Sequence, residues 1–512
     1  MSAAKAETVT APKSAPKSAQ AVDASAIYKR LKANTRSLRK TSVAERSDKI
    51  QKLLSAVLEA REEIRGVVHD ELGLCNTDID AQLIMIKAEA EFILKQLPQW
   101  VKSQPVKGSL MTLGKQSYVQ YEPKGVVLHL ATWNAPYAIG LVPAMGAIAA
   151  GNAFCLKPSE LAPASSALIK RLVESVFTED EFAVVEGGAD VAQALLAQPF
   201  DHIFFVGGHH VGKIVAKAAA DHFASVTLEM GGKNPVIIDK SADLDDAAAK
   251  ISWGRISNGG QICIAPDYAL VHESVVEAFT QKLAAAMTAQ YNSDGGGFQQ
   301  SKHYPRIVNS QHCQRVKALI DDAKEKGARI AFGGEADIDD CYIAPTIIDN
   351  VTEDMRIMQD EIFGPAITIT PFSDREEVLD IIERRPKPLS LYVFSKDKAE
   401  TRFYLDNTTA GNSVVNHNVI QSGTNPNLPF GGVNHSGSGR IGGWSTFLEA
   451  SNARSVVEEG PPIVDPDLMF PPYDDKYKKM VDDMLNKTVK VPDVVIKAIN
   501  GVIKVRSVFS RG

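Results

Sequence analysis

The sequence has too few cysteines, too widely scattered, for a disulfide framework or a zinc site. Five occur among 512 residues, and none forms a Cys-x-x-Cys pair or a Cys/His pattern. An excess of one charge is also missing, because 56 Lys and Arg stand against 62 Asp and Glu for a net charge of −6. Nucleic-acid binding usually leaves a basic excess. We therefore expect a cytoplasmic protein with no metal and no nucleic-acid partner.

The first segment, residues 1–26, lacks Leu, Ile and Phe. A secretory signal needs a run of apolar residues, so we expect a solvated, disordered tail there.

Residues 125–156 contain no Asp, Glu, Lys or Arg and are long enough to cross a bilayer. Asn134, Pro136 and Pro143 interrupt this stretch, and its ends resemble strands while its middle resembles a helix. It therefore predicts a buried β-α-β unit, with the helix ended by Gly151.

Helix and strand patterns continue to alternate after this unit. "HIFFVGG" predicts a strand, "VGKIVAKAAADHF" a helix and "SVTLEMGG" a strand, and a second series begins at "DLDDAAAKISWGRIS". In residues 27–100, apolar and charged residues alternate at the spacing that is typical of long amphipathic helices. Apolar residues make up 44% of the chain, which is ordinary for a globular protein. The pattern predicts an α/β fold with mostly parallel, doubly wound sheets.

Polar residues and glycines follow several predicted strands, where open α/β sheets bind ligands. Gly207 and Gly212 flank a turn that leads into a helix, which suits a phosphate but is also common for conformational reasons alone. Lys157 and Glu160 follow another strand and could bracket a ribose, although such a pair is often a solvated helix cap.

Cys263 lies in the glycine-rich bend "NGGQICIAP", directly after a predicted helix end. A thiol is useful in catalysis where its thiolate is accessible and stabilised, and a turn near a helix end offers this. Glu229 ends a predicted buried strand before two glycines. A carboxyl there is either hydrogen-bonded structurally or a base with a raised pKa.

Seven segments together resemble the aldehyde dehydrogenase superfamily. They occur in the family's order, the resemblance extends over residues 27–457, and they are LHLATWNAP, FCLKPSE, FFVGGHHVG, TLEMGGKNP, NGGQICIAP, EIFGP and LPFGGVNHSGSG. "GGKNPVIIDKSADLD" and "CIAPDY" are most similar to the branch that acts on fatty and aromatic aldehydes, the class 3-like branch.

The resemblance implies a role for each candidate in the reaction. Cys263 matches the nucleophile that adds to the aldehyde, and the Asn134 amide matches the oxyanion donor that acts with the Cys263 backbone N–H. Glu229 matches the base that activates water for thioester hydrolysis.

The resemblance also implies NAD as cofactor, with NADP tolerated. Lys157 and Glu160 match contacts to the adenine ribose, and Gly207 and Gly212 match the pyrophosphate turn. Two further residues, Glu361 and Phe363, match those that hold the nicotinamide ribose and ring.

The family architecture implies two doubly wound, Rossmann-type domains and a β-hairpin arm that joins subunits into a homodimer or homotetramer. The predicted boundaries are 27–106 and 126–228 for the dinucleotide-binding domain, 229–446 for the catalytic domain, 107–125 and 447–459 for the arm, and 460–512 for a Pro-rich linker and basic tail.

Four positions depart from the family pattern. His209 and His210 stand in the phosphate turn, where small hydroxyl or amide residues are usual. Asn434 replaces the glycine that usually follows "PFGGV", and Ala135 replaces the Tyr that often follows the oxyanion Asn in the fatty-aldehyde branch. A smaller residue at 135 predicts a wider substrate funnel.

The residues and the resemblance together predict NAD(P)⁺-dependent oxidation of a long-chain or aromatic aldehyde to its acid. An acylating enzyme that passes the thioester to coenzyme A is an alternative, but it needs no hydrolytic base and would not use Glu229. A second alternative is a catalytically silent NAD-binding protein of the same fold.

The C-terminal segment 476–512 carries nine Lys and Arg against three Asp. From Val491 onward its apolar residues recur near helical spacing, although Gly501 weakens a helix there by about 1 kcal/mol. Such a helix packs on the protein's own surface or lies on an anionic membrane. Besides a cytoplasmic location, we therefore predict peripheral association with membranes through residues 476–512.

Overall fold

The computed structural model describes residues 22–108, 112, 115–421, 425–459 and 470–486. The basic helix predicted from Val491 onward lies outside these residues, as do residues 1–21 of the predicted tail. The remainder of that tail is already ordered, because helix α1 begins at Ala24 and the Asp23 side chain accepts a hydrogen bond from the Ala26 N–H at 2.9 Å.

The helices follow the predicted positions closely in the first half of the chain. Their bounds are α1 Ala24–Leu38, α2 Val43–Glu59, α3 Arg61–Leu72, α4 Asn76–Trp100, α5 Pro136–Ala150, α6 Pro163–Glu174, α7 Ala189–Leu196, α8 His209–Asp221, α9 Leu244–Ile256, α10 Val276–Tyr291, α11 Ser310–Glu325, α12 Arg356–Gln359, α13 Arg375–Glu383, α14 Lys398–Asn407, α15 Trp444–Glu449 and α16 Asp475–Asn486.

The strands form two large sheets and two small ones. Their bounds are β1 Gln104–Pro105, β2 Gln116–Pro123, β3 Val126–Leu130, β4 Ala153–Lys157, β5 Phe182–Val184, β6 His202–Gly207, β7 Ser225–Met230, β8 Pro235–Ile238, β9 Tyr268–His272, β10 Arg329–Phe332, β11 Ala336–Asp337, β12 Tyr342–Ile343, β13 Thr346–Asp349, β14 Ala366–Phe372, β15 Ser390–Phe394, β16 Asn412–Val415, β17 Gly437–Ser438 and β18 Ser451–Glu458.

The first large sheet has the order β17-β7-β6-β3-β4-β5 and is parallel except for β17. Its β3-α5-β4 unit is the charge-free stretch, and Gly151 ends α5 in the left-handed region with φ 92°. Strand β7 extends to Met230, so Glu229 belongs to this sheet although the predicted boundary lies at 228/229. β17, from the predicted catalytic segment, pairs with β7 and joins the same sheet.

The second large sheet has the order β10-β13-β14-β9-β8-β15-β16 and is parallel except for β10. Helices cover both faces, and each face has its own buried cluster of aliphatic and aromatic side chains. The continuous apolar runs of β8, β9 and β15 are explained by this double burial.

A separate three-stranded antiparallel sheet has the order β1-β2-β18. Among the described residues of the predicted hairpin over 107–125, the strand is β2, and β1 at Gln104–Pro105 pairs with one of its edges. β18 runs along the whole of β2, from Ser451 opposite Pro123 to Glu458 opposite Gln116. Most of β18 is exposed, whereas Tyr121 of β2 packs edge-to-face on Trp444 and Phe447, with ring centroids 5.2 and 6.1 Å apart.

Candidate active site

The predicted catalytic residues come from three separate segments. Glu229 lies near the carboxyl end of β7, Asn134 follows β3 of the same sheet, and Cys263 lies in the segment between α9 and β9 of the other sheet. This is where ligands bind in open α/β folds, at the carboxyl ends of the strands. The structure therefore brings all three to the junction of the two sheets.

The bend before Cys263 depends on three successive residues in the left-handed region. Asn258, Gly259 and Gly260 have φ values of 57°, 67° and 70°. Residues other than glycine and asparagine rarely adopt such angles. A Cβ at Gly260 would lie 2.4 Å from the Gly364 carbonyl oxygen, so only glycine fits there. The predicted helix stop thus also turns the chain toward the site.

The Cys263 thiol is half-buried in an apolar setting. Ile262, Val419 and Ile441 pack beside it on a small cluster whose buried members are Ile264, Leu389 and Phe430. Burial raises the pKa of this thiol well above its ordinary value, and the nearby Glu229 carboxyl raises it further. The sequence-based expectation of a stabilised thiolate is therefore wrong for this structure. The thiol is neutral at pH 7 and needs a base.

Glu229 is the carboxyl in contact with that thiol. Its side chain is buried, and burial raises its pKa to about 7, although the hydrogen bond with Cys263 opposes this rise. Oε1 has no hydrogen-bond partner among the described residues. A buried carboxyl without structural partners and with a pKa near 7 has the properties of a general base rather than of a structural carboxyl.

The Asn134 side chain is fixed by one hydrogen bond. Its Nδ2 donates to the Gln261 carbonyl oxygen at 2.8 Å, while its buried Oδ1 has no partner in the described part of the chain. An amide nitrogen carries two N–H groups. The second is therefore left to donate to an oxygen atom beside Cys263.

The strand-end pair Lys157 and Glu160 forms an ion pair, with Nζ and Oε2 2.5 Å apart. The lysine side chain is buried and the glutamate is half-exposed. Burial raises the pKa of Glu160, but the hydrogen bond and charge of Lys157 together with a backbone hydrogen bond outweigh it, so the net pKa lies below the ordinary value. A carboxylate is therefore presented at the end of β4, where it can accept hydrogen bonds from hydroxyl groups.

Glycine occurs in the phosphate turn, residues 207–212, for two different physical reasons. A Cβ at Gly207 would lie 2.7 Å from the Phe205 ring, and one at Gly212 would lie 2.5 Å from the Met230 sulfur, so both allow close packing of α8 on the sheet. Gly208 instead has open space around it, and no side chain caps the N-terminus of α8. The free N–H groups of that turn suit an anion.

The two histidines of the turn behave differently. His209 stacks on His435, with ring centroids 4.0 Å apart, whereas His210 is exposed. Burial lowers the pKa of both His209 and His435, so the stacked pair is neutral at pH 7. Asn434 has φ 54°, a region that asparagine tolerates, which explains how it replaces the usual glycine.

Glu361 and Phe363 lie in the turn between α12 and β14. Burial raises the pKa of Glu361 to about 8, with a further contribution from Asp267. Its carboxyl group lies against the backbone of Gly231, where a Cβ would approach Oε2 to 2.2 Å. Phe363, at φ 46°, packs edge-to-face on Trp133 with centroids 5.8 Å apart. These two predicted cofactor residues therefore face the residues next to Asn134 and Glu229.

Sequence reasoning missed the residues that support this site. Asn234 donates from Nδ2 to the Cys263 carbonyl at 2.8 Å and to the Ala265 carbonyl at 3.0 Å. Gln261 donates to the carbonyls of Asn258 at 2.9 Å and Arg306 at 3.1 Å. Asn234 lies within the segment "TLEMGGKNP" and Gln261 within "NGGQICIAP". Their position inside these motifs is the feature of the sequence that could have indicated a role at the site.

The comparisons with known proteins concern the family and the fold. The model of the aldehyde dehydrogenase family matches residues 6–456. The 4,4'-diaponeurosporen-aldehyde dehydrogenase of Staphylococcus aureus is 39% identical over 434 residues, 85% of this chain and 93% of that protein. Aldehyde dehydrogenase family 3 member A2 of Rattus norvegicus is 39% identical over 84% of this chain and 87% of its own length.

Three further comparisons are with one relative named as dimeric and with two solved structures. The dimeric NADP-preferring aldehyde dehydrogenase of Canis lupus familiaris is 39% identical over 73% of this chain and 81% of its own. The substrate-bound Staphylococcus aureus AldH has a TM-score of 0.85 at 36% identity, covering 90% of this chain and 99% of that one. PnpE in complex with nicotinamide adenine dinucleotide has a TM-score of 0.77 at 25% identity over 86% and 90%.

A doubly wound pair of sheets, with a thiol, a carboxyl and an amide at their junction, defines the class of protein. The chain belongs to the aldehyde dehydrogenase family, and its relatives include members of the class 3 branch. The predicted resemblance and fold class are confirmed. The chain is an enzyme of this family, an oxidoreductase that acts on aldehydes.

Proposed function

We propose that this enzyme oxidises hydrophobic, long-chain or aromatic aldehydes to carboxylic acids with NAD⁺. The observation that carries the proposal is the contact between the Cys263 thiol and the Glu229 carboxyl beside a fixed Asn134 amide. A panel of aldehydes of different chain length and ring type, assayed by NADH absorbance, tests it. No NADH formation with any aldehyde would favour the silent NAD-binding alternative.

The protein residues act in a defined order. Glu229 accepts the Cys263 proton, and the thiolate adds to the aldehyde carbonyl to give a thiohemiacetal whose oxyanion accepts from Asn134 and the Cys263 N–H. The nicotinamide ring, when bound, supplies the hydride acceptor that takes this adduct to the thioester. Glu229 releases the thiol proton to solvent, and its carboxylate then removes a proton from the water that hydrolyses the thioester. An acylating enzyme would not need this last step.

The residues present fit a dinucleotide. The uncapped N-terminus of α8 and the open space at Gly208 suit a pyrophosphate, and the half-exposed Glu160 suits a ribose. Glu361 and Phe363 would hold the nicotinamide ribose and ring. These groups bind and orient the cofactor, while the apolar packing around Cys263 limits the access of water to the thiol.

The substrate class rests on the lining of the site. Ile262, Val419 and Ile441 offer apolar surface next to the thiol, and Ala135 is a small residue next to the oxyanion donor. The names of relatives, a diaponeurosporen-aldehyde dehydrogenase among them, agree with a bulky apolar aldehyde. We therefore propose fatty and aromatic aldehydes.

The cofactor preference has its own test. A like-charge contact near 4 Å in a water-like environment costs about 1 kcal/mol. The Glu160 carboxylate should therefore disfavour the 2′-phosphate of NADP⁺ by about fivefold. Glu160→Gln should lower the ratio of kcat/KM for NAD⁺ to that for NADP⁺ by this factor. A wild-type kcat/KM that is higher for NADP⁺ than for NAD⁺ would contradict the proposed preference. The name of the dog relative gives that preference for NADP to that protein.

Assembly as a homodimer or homotetramer is proposed through the arm. β18 is the outer strand of its sheet, and its Val457 side chain is exposed. The fully exposed Phe223 after α8 is a second apolar contact candidate. An unpaired edge with exposed apolar side chains is a surface that another subunit can cover.

The C-terminal segment is proposed to contact membranes peripherally. No helix in the described ranges is long and apolar enough to cross a bilayer. α16 carries an apolar stripe at helical spacing, and none of its residues is buried by the rest of the chain; the stripe is Tyr477, Met480, Val481 and Met484. This arrangement is typical of helices that lie in a membrane interface.

Truncation after Tyr473 tests this proposal. The shortened chain should keep activity on short aldehydes, since both large sheets are intact, but lose binding to anionic liposomes and have a higher KM for long-chain aldehydes. Co-sedimentation and steady-state kinetics measure both effects. Equal sedimentation together with equal long-chain KM would contradict a membrane or gating role.

A further inference from the structure

Two short loops carry the predicted site residues of the second sheet. We name residues 260–266, which contain Cys263, the nucleophile loop, and residues 361–363 the cofactor loop. Apart from Gly260, which is the last residue of a 3₁₀ turn at Ser257–Gly260, neither loop is helix or strand. Loop backbones that hold reacting groups need partners from rigid elements, because a misplacement of about 1 Å is costly in catalysis.

Arg255, near the end of α9, holds the nucleophile loop. Its side chain is 1% exposed, Nη1 donates to the Pro266 carbonyl at 2.6 Å, and Nη2 donates to the Gly260 carbonyl at 2.8 Å. These are the first and last residues of the loop. A guanidinium can reach both because its donors form a planar fork, which an ammonium group lacks.

Arg315, on α11, holds the cofactor loop in the same manner. Nη1 donates to the Glu361 carbonyl at 3.2 Å, while Nη2 donates to the carbonyls of Ile362 at 2.7 Å and Phe363 at 3.3 Å. Three consecutive carbonyls thus point to one side chain. This requires an unusual backbone, and Phe363 adopts φ 46°.

Asp267 compensates the charge on the nucleophile side. Its Oδ2 lies 3.8 Å from Arg255 Nη1 and accepts the Ile362 N–H at 2.9 Å, and its Oδ1 pairs with Lys233. A lysine at 255 would keep a cation beside this carboxylate. Substitution of Arg255 by Lys therefore removes the fork without leaving an unpaired buried charge.

We infer that Arg255 and Arg315 are positioning residues that act on separate parts of the reaction. Arg255 orients the thiol and oxyanion groups of the nucleophile loop, and Arg315 orients the cofactor contacts of Glu361 and Phe363. The inference rests on the proposed function, since it assigns the two loops to the nucleophile and to the cofactor.

Two measurements separate the loops. Hydrolysis of para-nitrophenyl acetate without cofactor needs only attack by Cys263 on the ester carbonyl, departure of the phenolate and hydrolysis of the thioester by water. It involves no oxidation and no cofactor, so it reports on the nucleophile loop and on Glu229 but not on the cofactor loop. The dissociation constant of NAD⁺, measured by calorimetry without aldehyde, reports on the cofactor loop.

Arg255→Lys should lower ester hydrolysis by at least about tenfold, because a hydrogen bond to a charged group is lost at one end of the loop. Its NAD⁺ dissociation constant should stay within about twofold of wild type. Arg315→Lys should show the reverse pattern. The matched control is Arg385→Lys, since Arg385 donates instead to the Ile381 carbonyl and to Glu353, and it should alter neither quantity.

Equal effects of Arg255→Lys on both measurements, or no effect beyond that of Arg385→Lys, would overturn the inference. If a Lys variant does not fold, Arg255→Met and Arg315→Met decide by the same criteria, because Met fills the stem and Asp267 keeps its pair with Lys233. Absence of aldehyde-dependent NADH formation in the wild-type enzyme would instead reject the proposed function. The ester hydrolysis and NAD⁺ binding measurements would still test the roles of the two arginines, because neither measurement needs an aldehyde.

Discussion

Replacing Cys263 with Ala should reduce aldehyde-dependent NADH formation by at least about a thousandfold, as expected when a covalent nucleophile is removed. The thiol is the group in contact with Glu229 and adjacent to the Asn134 amide, and no other cysteine shares these neighbours in the described residues. Binding of NAD⁺ should survive, because the predicted cofactor contacts come from other segments. Calorimetric titration with NAD⁺ and an absorbance assay measure the two quantities.

The matched control for this substitution is Cys75→Ala. Cys75 is also half-buried and precedes α4 without forming a side-chain cap, so its loss should leave the rate within about twofold of wild type. Activity above a few per cent in Cys263→Ala would place the nucleophile elsewhere. Loss of NAD⁺ binding in this variant would mean that the loop, rather than the thiol, had been disturbed.

The regular elements near the site could be predicted because their signals are local. The charge-free stretch from 125 to 156 could only be buried, and Gly151 and the Asn258-Gly259-Gly260 bend mark helix ends that need left-handed backbone angles. The strands β10, β13 and β16 were not predicted, since they are four residues long and carry too little periodicity to be recognised.

The side chains that hold the site loops in place could not be predicted, because they act through hydrogen bonds to backbone carbonyls of residues distant in the sequence. Arg315 and Phe363 are far apart in the sequence, and nothing in the residue pattern around either indicates a shared contact. The same holds for β17, whose two residues pair with the strand of Glu229 after more than two hundred intervening positions. The protonation state of Cys263 was misjudged for a related reason, since its burial and the neighbouring carboxyl arise only in the folded chain.

Glu229→Gln should convert the enzyme from steady turnover to a single burst of NADH. The amide cannot remove a proton from water, so the thioester should accumulate and steady-state turnover should fall by about a hundredfold or more. The burst should keep an amplitude of about one NADH per subunit, because thioester formation does not require water. The Glu229 charge is one of the causes that raise the pKa of the Cys263 thiol, but burial is the larger cause and remains in this variant. Without Glu229 the thiol proton has to leave to solvent, so the burst should keep its amplitude but be slower than in wild type. Stopped-flow absorbance resolves the two phases.

The pH dependence provides the second test of the same residue. The carboxylate is the active form, and its pKa is raised to about 7, so wild-type kcat should increase from pH 6 to pH 8 as the fraction ionised rises. Glu229→Gln should lose this increase in its residual turnover. The control is Glu229→Asp, which keeps a carboxyl one methylene shorter and should retain both the burst and a measurable steady phase. Steady turnover that is unaffected by Gln would make Glu229 structural, and Glu361, whose pKa is raised to about 8, would then be the carboxyl to test as the base.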